Sequence, residues 1–212
     1  MKYSKEQTDN IQATTLQHYS GRAEDFWQAT KDHDVSQNYD AFLSAMPADK
    51  ALDILDFGCG PGRDIQYFKS LGHRPVGLEG SERFCEMARA YTHCPVLHQG
   101  FLNLELVASS YDGIFANASL FHVPSQDLPR VLGQLWSALR PGGVLFTSSP
   151  RGSEEGWVGQ RFGHYMELDV STRFFNEAGF EVLTHYYRPQ GKPIHEQPWL
   201  AMVNRKGSLS KE

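Results

Sequence analysis

The fold is decided by one short stretch, Leu55-Asp56-Phe57-Gly58-Cys59-Gly60-Pro61-Gly62-Arg63-Asp64. An apolar run over 51–57 predicts a buried strand before the glycines, and a helix is predicted over 62–70. Glycines let such a loop turn tightly and let a ligand approach the backbone. Glu79 ends the next predicted strand, and an acid about 20 residues after the glycines can accept hydrogen bonds from both hydroxyls of a ribose. The order of strand, loop, helix, strand and acid predicts a nucleoside-binding site rather than a purely structural turn.

The glycine spacing also bears on the class of ligand. Dinucleotide-binding loops follow G-x-G-x-x-G and place a pyrophosphate at a helix N-terminus. Here Gly58, Gly60 and Gly62 follow G-x-G-x-G, with Pro61 between the last two. Asp56 stands two residues before the first glycine, where a carboxylate would repel a phosphate and suit a ligand with ammonium and sulfonium charges. A nicotinamide-dependent oxidoreductase is therefore the disfavoured alternative.

Strands and helices alternate along the whole chain. Strands are predicted at 51–57, 74–79, 95–98, 111–116, 144–148, 180–187 and 199–203, and helices at 4–20, 22–30, 34–45, 62–70, 81–91, 125–139 and 168–178. This alternation predicts an α/β fold, a doubly wound, mostly parallel sheet of seven strands whose last two form an antiparallel edge hairpin. We expect this domain over 47–205, a flexible tail over 206–212, and an N-terminal helical segment over 1–46. That segment either closes over the ligand as a lid or only covers the edge of the sheet.

Composition excludes several other classes. The 212 residues carry 20 Lys and Arg against 25 Asp and Glu, a net charge of −5, and no basic run that would predict a nucleic-acid partner. No apolar run reaches membrane-spanning length, so no membrane partner is expected. The three cysteines are too few for a disulfide framework and indicate reduced thiols, hence a cytoplasmic protein. The histidines show no metal-ligand spacing, and no metal is predicted. Oligomeric state is not predicted.

The stretch 55–64 resembles the first motif of the class I S-adenosylmethionine-dependent methyltransferases, and later landmarks follow in that family's order. These are Glu79, the strand Tyr111-Asp112-Gly113-Ile114-Phe115-Ala116-Asn117, and the turn Leu139-Arg140-Pro141-Gly142-Gly143-Val144-Leu145. The resemblance implies a Rossmann-like methyltransferase fold with S-adenosylmethionine as cofactor and S-adenosylhomocysteine as product. The cofactor contacts it implies are Tyr19, Trp27, Asp56, Gly58, Cys59, Gly60, Glu79, Gly80, Gly100, Phe101 and Asn117. Gly100 departs from the family, because an acid that meets the adenine amino group usually stands there.

Stretches outside these general motifs resemble one subfamily, the methyltransferase domain of the ovothiol-biosynthesis enzyme. They are Asp32-His33-Asp34-Val35-Ser36-Gln37-Asn38, Phe115 to Gln126, Pro150-Arg151-Gly152 with Gly156-Trp157, His185-Tyr186-Tyr187-Arg188-Pro189, and Gln197-Pro198-Trp199-Leu200-Ala201. The resemblance implies methylation of the π nitrogen of 5-thiohistidine to give ovothiol A, by a standalone version or an excised domain that works with a separate sulfoxide synthase. The alternatives are another small amine, thiol or hydroxyl as acceptor, and a cofactor-binding protein without turnover.

The resemblance also suggests which residues meet the acceptor. Asn117 follows the fourth predicted strand, where the transferred methyl group should lie, and His122 on the same loop would hydrogen-bond the ring, accept a proton or only begin a helix. Arg151, after the fifth strand, would bind a carboxylate through a bidentate contact. Trp199 is interpreted as a core residue. The predicted catalytic residues are Asn117 and His122, and the predicted substrate contacts are His33, Asn38, Phe121, Arg151 and Tyr186.

Overall fold

The computed structural model describes residues 2–207, which contain a seven-stranded sheet, a two-stranded hairpin and seven α-helices. The strands are β1 (Asp53–Phe57), β2 (Arg74–Glu79), β3 (Val96–His98), β4 (Tyr111–Asn117), β5 (Leu139–Pro150), β6 (Glu155–Val158), β7 (Arg161–His164), β8 (Phe180–Arg188) and β9 (Trp199–Lys206). The helices are α1 (Lys5–Ser20), α2 (Ala23–Thr30), α3 (Ser36–Leu43), α4 (Arg63–Ser70), α5 (Glu82–Thr92), α6 (Leu128–Ala138) and α7 (Leu168–Glu177).

The large sheet has the order β3-β2-β1-β4-β5-β9-β8. The first five strands in this order are parallel, and β9 pairs antiparallel with both β5 and β8. The predicted doubly wound fold is therefore confirmed. Because the strand order reverses between β1 and β4, the loops that follow these two strands separate there and leave a crevice at the carboxyl end of the sheet.

Both faces of the sheet are covered by apolar side chains. On one face, α6 presents Val131, Leu132 and Leu135 to the sheet, all with zero exposure. On the other face, Phe42 of α3 has zero exposure and packs against Phe115 at a ring-centroid distance of 5.2 Å. Helix α3 thus belongs to the core of the domain, whereas α1 and α2 border the crevice. The predicted N-terminal segment 1–46 therefore contains one helix that packs into the core and two that border the crevice.

Three further differences separate the structure from the sequence-based expectation. The β6–β7 hairpin was not predicted, because its short strands lack clear alternation; it is held to α1 where Phe162 N donates to Thr15 Oγ1 at 3.1 Å. Strand β5 includes the Pro141-Gly142-Gly143 turn, since Leu139 pairs with Tyr111 before a register shift. Lys206 belongs to β9 and pairs with Phe180, so the prediction that the flexible tail begins there was wrong. Residues 208–212 of that predicted tail lie outside the described residues.

Two regular features were predicted correctly at the residue level. Ser4 and Gln7 form the expected capping box at the start of α1, and Ser81 caps α5 by accepting from Phe84 N at 3.2 Å. Among residues 2–207, no helix combines the length and apolar character that crossing a bilayer requires.

Candidate functional site

A cavity of about 690 Å³ lies at the carboxyl end of the sheet. Its floor is formed by the loops after β1, β2, β3 and β4, and its sides by α1, α2 and residues from the β6–β7 hairpin and the end of β8. Thirteen of the predicted site residues line it, namely Tyr19, Trp27, His33, Gly58, Cys59, Gly60, Glu79, Gly80, Gly100, Phe101, Asn117, Phe121 and His122. The remaining four, Asp56, Asn38, Arg151 and Tyr186, do not.

The glycine loop and Glu79 are joined directly. Gly60 N donates to Glu79 Oε2 at 3.0 Å, and Ser81 N donates to Oε1 at 2.8 Å. Gly58 has a φ of +78°, and a Cβ there would collide with the side chain of Ser119. Burial raises the pKa of Glu79, which the hydrogen bonds from the backbone partly offset. The loop is therefore held against a buried acid that has unused acceptor capacity at the cavity wall.

Asp56 does not reach the cavity. It lies in β1, whose side chains are buried on both faces of the sheet, and it is only 1% exposed. Its Oδ2 has no hydrogen-bond partner, and burial together with the nearby Asp64 raises its pKa well above the usual range. The expectation that Asp56 contacts a cationic ligand is therefore wrong for this geometry.

An ion pair that the sequence reasoning missed lies at the N-terminus of α4. Arg63 Nε donates to Asp64 Oδ1 at 2.6 Å, and both residues line the cavity. The Tyr39 hydroxyl donates to the same Oδ1 at 2.6 Å, and Arg63 Nη1 donates to Thr30 O at 3.0 Å. Burial and the Asp64 charge raise the pKa of Tyr39, so its hydroxyl stays protonated as a donor. These contacts present a fixed positive and a fixed negative charge at the bottom of the crevice.

The amide of Asn117 is fixed by hydrogen bonds to two other side chains. Its Nδ2 donates to Asp64 Oδ2 at 3.3 Å, and its Oδ1 accepts from Asn38 Nδ2 at 2.9 Å. The Tyr186 hydroxyl donates to Asn38 Oδ1 at 2.9 Å. Asn38 is fully buried, and neither it nor Tyr186 lines the cavity. Both residues were predicted to bind substrate, but the structure places them as supports for Asn117.

His122 is locked as a neutral ring beneath α1. Its Nδ1 donates to Phe162 O at 2.6 Å, which leaves Nε2 to accept from the Tyr19 hydroxyl at 2.9 Å. Burial lowers the pKa of His122 to about 4. Burial also raises the pKa of Tyr19. A neutral imidazole whose only lone pair is already engaged is a weak proton acceptor, so the geometry favours a structural role that joins α1 to the loop after β4.

Arg151 lies away from the cavity and its donors are already engaged. Its Nε and Nη2 contact Glu167 Oε2 at 3.1 and 3.0 Å, and Nη1 donates to the carbonyls of Ile194 and Gln197. The guanidinium also lies 4.5 Å from the centre of the Tyr187 ring. Arg151 therefore joins the loop before β9 to Glu167, the residue before α7, and its predicted contact with a substrate carboxylate is not supported.

In addition to Arg63, two arginines lie on the cavity wall. Arg161 and Arg188 line the cavity, and Arg188 Nη2 donates to Asp34 O at 2.9 Å. Trp199 also lines it, so its interpretation as a core residue was wrong. No local pattern predicted that these residues would line the cavity, since each reaches it from a segment far along the chain.

Residues 54–143 match a protein family described as "Methyltransferase domain". A solved structure with the same fold is the 1,6-didemethyltoxoflavin-N1-methyltransferase of Burkholderia thailandensis, which contains 1,6-didemethyltoxoflavin and S-adenosylhomocysteine. Its TM-score is 0.74 at 21% identity, covering 92% of this chain and 88% of that one. This chain has a class I methyltransferase fold.

Two curated methyltransferases align with the same region. The malonyl-[acyl-carrier protein] O-methyltransferase of Pectobacterium atrosepticum is 35% identical over 49% of this chain and 40% of its own length. The trans-aconitate 2-methyltransferase of an Azoarcus species is 34% identical over 53% of this chain and 45% of its own length. The chain thus spans less than half the length of these relatives. The methyltransferase fold and the named relatives agree with the family resemblance seen in the sequence.

Proposed function

We propose that this protein is an S-adenosylmethionine-dependent methyltransferase that acts on a small molecule. The proposal rests on the meeting of Glu79 with the glycine loop inside the cavity. The cradle fits the cofactor, because Gly58 keeps the floor free of a side chain and Glu79 offers buried acceptor atoms for ribose hydroxyls. When bound, the cofactor supplies a methyl group on a positively charged sulfur.

Two further groups of cavity residues match the adenine base and the amino-acid group of that cofactor. Phe101 lines the cavity near Glu79 and stacks on Phe57 with ring centres 4.3 Å apart, so its ring gives an apolar cover for a base. The Arg63–Asp64 pair presents opposite charges for the carboxylate and ammonium of an amino-acid group. Asn117 lies beside Asp64 and is held at both ends of its amide, so it orients the group that binds there.

For the acceptor, we propose the π nitrogen of 5-thiohistidine, with ovothiol A as the product. The subfamily resemblance supports this choice, and so do other residues that line the cavity. Arg188 lines the cavity and donates to the backbone carbonyl of Asp34, and its guanidinium matches the carboxylate of an amino acid, while Phe121 and Trp199 offer flat apolar surfaces for an imidazole ring. The upstream partner would be a separate sulfoxide synthase that makes the thiohistidine.

The protein's task in this reaction is orientation. Methyl transfer requires the nucleophilic nitrogen to approach in line with the bond that breaks, and fixed contacts at both ends of the acceptor provide this. A thiohistidine ring supplies a free lone pair as a neutral tautomer or as a thiolate form. A strong protein base is therefore unnecessary, which agrees with the neutral, engaged state of His122.

A carboxylate acceptor is the second candidate. The two curated relatives are named for malonyl-[acyl-carrier protein] and trans-aconitate, both of which carry carboxylate groups. Arg161 and Arg188 on the cavity wall suit such an anion. In this case the cofactor would bind to the same residues, and the reaction would be an O-methylation.

The two candidates are separated by a direct assay. The protein is incubated with S-adenosylmethionine and either 5-thiohistidine, histidine or trans-aconitate, and the products are analysed by mass spectrometry for one added methyl group. A methylated 5-thiohistidine supports the first candidate, and equal reaction of histidine contradicts recognition of the thiol. Reaction of trans-aconitate alone supports the second candidate. Binding of S-adenosylhomocysteine without any product would favour a protein without turnover.

A matched pair of variants tests the acceptor wall. Arg188→Gln removes the guanidinium beside Asp34 and is expected to raise the KM for the acceptor about tenfold or more, since a charged hydrogen bond contributes about 1.5–3 kcal/mol. Arg151→Gln, outside the cavity, is the control and should leave KM unchanged. Equal KM values for both variants would contradict the assignment of Arg188.

A further inference from the structure

Gln12 of α1 occupies the space that a side chain at position 100 would need. A Cβ built on Gly100 would lie 2.5 Å from Gln12 Oε1 and 2.6 Å from both Cδ and Nε2. The glycine is therefore matched to a side chain that arrives from the N-terminal helix. A residue with any side chain at position 100 would have to displace the Gln12 carboxamide.

The orientation of this carboxamide is fixed by a backbone contact. Leu102 N donates to Gln12 Oε1 at 3.0 Å, and a backbone N–H can bond only to the oxygen of the amide. That oxygen has a second lone pair, and Gln12, Gly100 and Leu102 all line the cavity. The site therefore presents a neutral, well-placed acceptor at its wall.

The acceptor stands at the end of the cavity where a base would lie. Gly100 and Phe101 follow β3, the strand next to β2, and β2 ends in Glu79. A ribose held by Glu79 would have its base on this side, where Phe101 and Gln12 line the cavity. The group on adenine that needs an acceptor is its exocyclic amino group.

We propose that Gln12 selects adenine in the cofactor, with its Oε1 accepting the exocyclic amino group in place of a side chain at position 100. This inference rests on the proposed function. It makes the base site a joint product of the loop after β3 and the N-terminal helix. A base that carries a carbonyl oxygen at the same position, as hypoxanthine does, would set two acceptors against each other and bind more weakly.

Titration calorimetry with S-adenosylhomocysteine and S-inosylhomocysteine tests the selection without any turnover. The wild-type protein is expected to prefer the adenosyl compound. Gln12→Met keeps the length of the side chain and removes the acceptor, so it should weaken adenosyl binding about tenfold, the worth of one hydrogen bond, and reduce the preference between the two ligands. Gln12→Glu keeps acceptor oxygens and should retain the preference. Gln17→Met, on an exposed position of the same helix, is the control and should behave as wild type.

A side-chain exchange between the two positions provides a second test. Gly100→Asp alone should lose adenosyl binding because the new side chain collides with Gln12, whereas the double variant Gln12→Ala/Gly100→Asp should recover it. The preference is the ratio of the affinities of one variant for the two ligands. A loss of folding stability lowers both affinities alike and does not change this ratio. If Gln12→Met keeps the wild-type preference, the inference is overturned while the proposed function stands. If wild-type protein binds neither ligand, the proposed function itself fails, and this inference with it.

Discussion

Acid is expected to destabilise this protein through His122, which the fold holds as a neutral ring. Its Nδ1–H donates to Phe162 O and its Nε2 accepts from the Tyr19 hydroxyl. Protonation of Nε2 would remove that acceptor and place a charge in a buried site. For this reason burial lowers the pKa of His122 to about 4 from its ordinary 6.5.

The size and direction of the effect follow from this shift. Each pKa unit corresponds to about 1.4 kcal/mol, so the change in the pKa of His122 corresponds to about 3 kcal/mol of folding free energy. The unfolded chain takes up the proton near pH 6.5, whereas the folded chain takes it up only near pH 4. The contribution is thus present above about pH 6.5 and is lost as the pH falls through about 4.

Urea unfolding at a series of pH values measures this contribution. The His122→Asn side chain does not titrate, and its amide can still donate to Phe162 O. The contributions of the other titrating groups cancel when its free energy of unfolding is subtracted from that of the wild type at each pH. The free-energy difference between wild type and His122→Asn should change by about 3 kcal/mol as the pH falls from 6.5 to 4. Tyr19→Phe keeps the titrating ring, so it should retain the wild-type pH dependence at a stability lower by about 1 kcal/mol. Parallel curves for wild type and His122→Asn would refute the reasoning.

Three further substitutions test other parts of the structure. Glu79→Ala should weaken S-adenosylhomocysteine binding by about 1–3 kcal/mol in calorimetry, because charged-type hydrogen bonds to ribose are lost; an unchanged affinity would contradict its role. Gly133→Ala, at an exposed position of α6 where a Cβ meets nothing within 4 Å, should raise the free energy of unfolding by about 0.5–1 kcal/mol. Arg151→Ala should lower that free energy by about 1–3 kcal/mol and leave the KM for the acceptor unchanged; a raised KM at unchanged stability would return Arg151 to the substrate site.

The sequence predicted the parts of the site that are local in the chain. The glycine loop and Glu79 sit at the ends of two adjacent strands, and a short interval of sequence fixes their relation in this type of fold. The capping residues Ser4 and Ser81 were likewise predictable, because a cap acts on its own helix. These elements depend on neighbouring residues, which a sequence pattern can record.

The parts that were missed depend on how distant segments dock. Gln12 and Arg161 both line the cavity because α1 and the β6–β7 hairpin, which are far apart in the chain, pack against each other beside it. Asp56 was misjudged because its side chain lies in a strand that is buried on both faces of the sheet and does not reach the cavity. Arg151 was misjudged because its partner Glu167, the residue before α7, is 16 residues away in the chain and the sequence pattern does not show that the two meet. A sequence pattern does not show which distant segments come into contact.

The place of β9 has a consequence for how the chain is assembled during synthesis. It is synthesised after both β5 and β8, yet it lies between them in the sheet. Until it arrives, β5 and β8 each present a row of unpaired backbone groups to other nascent chains. A chain truncated before Trp199 is therefore expected to self-associate through these rows, and a chaperone would have to shield them until β9 is synthesised.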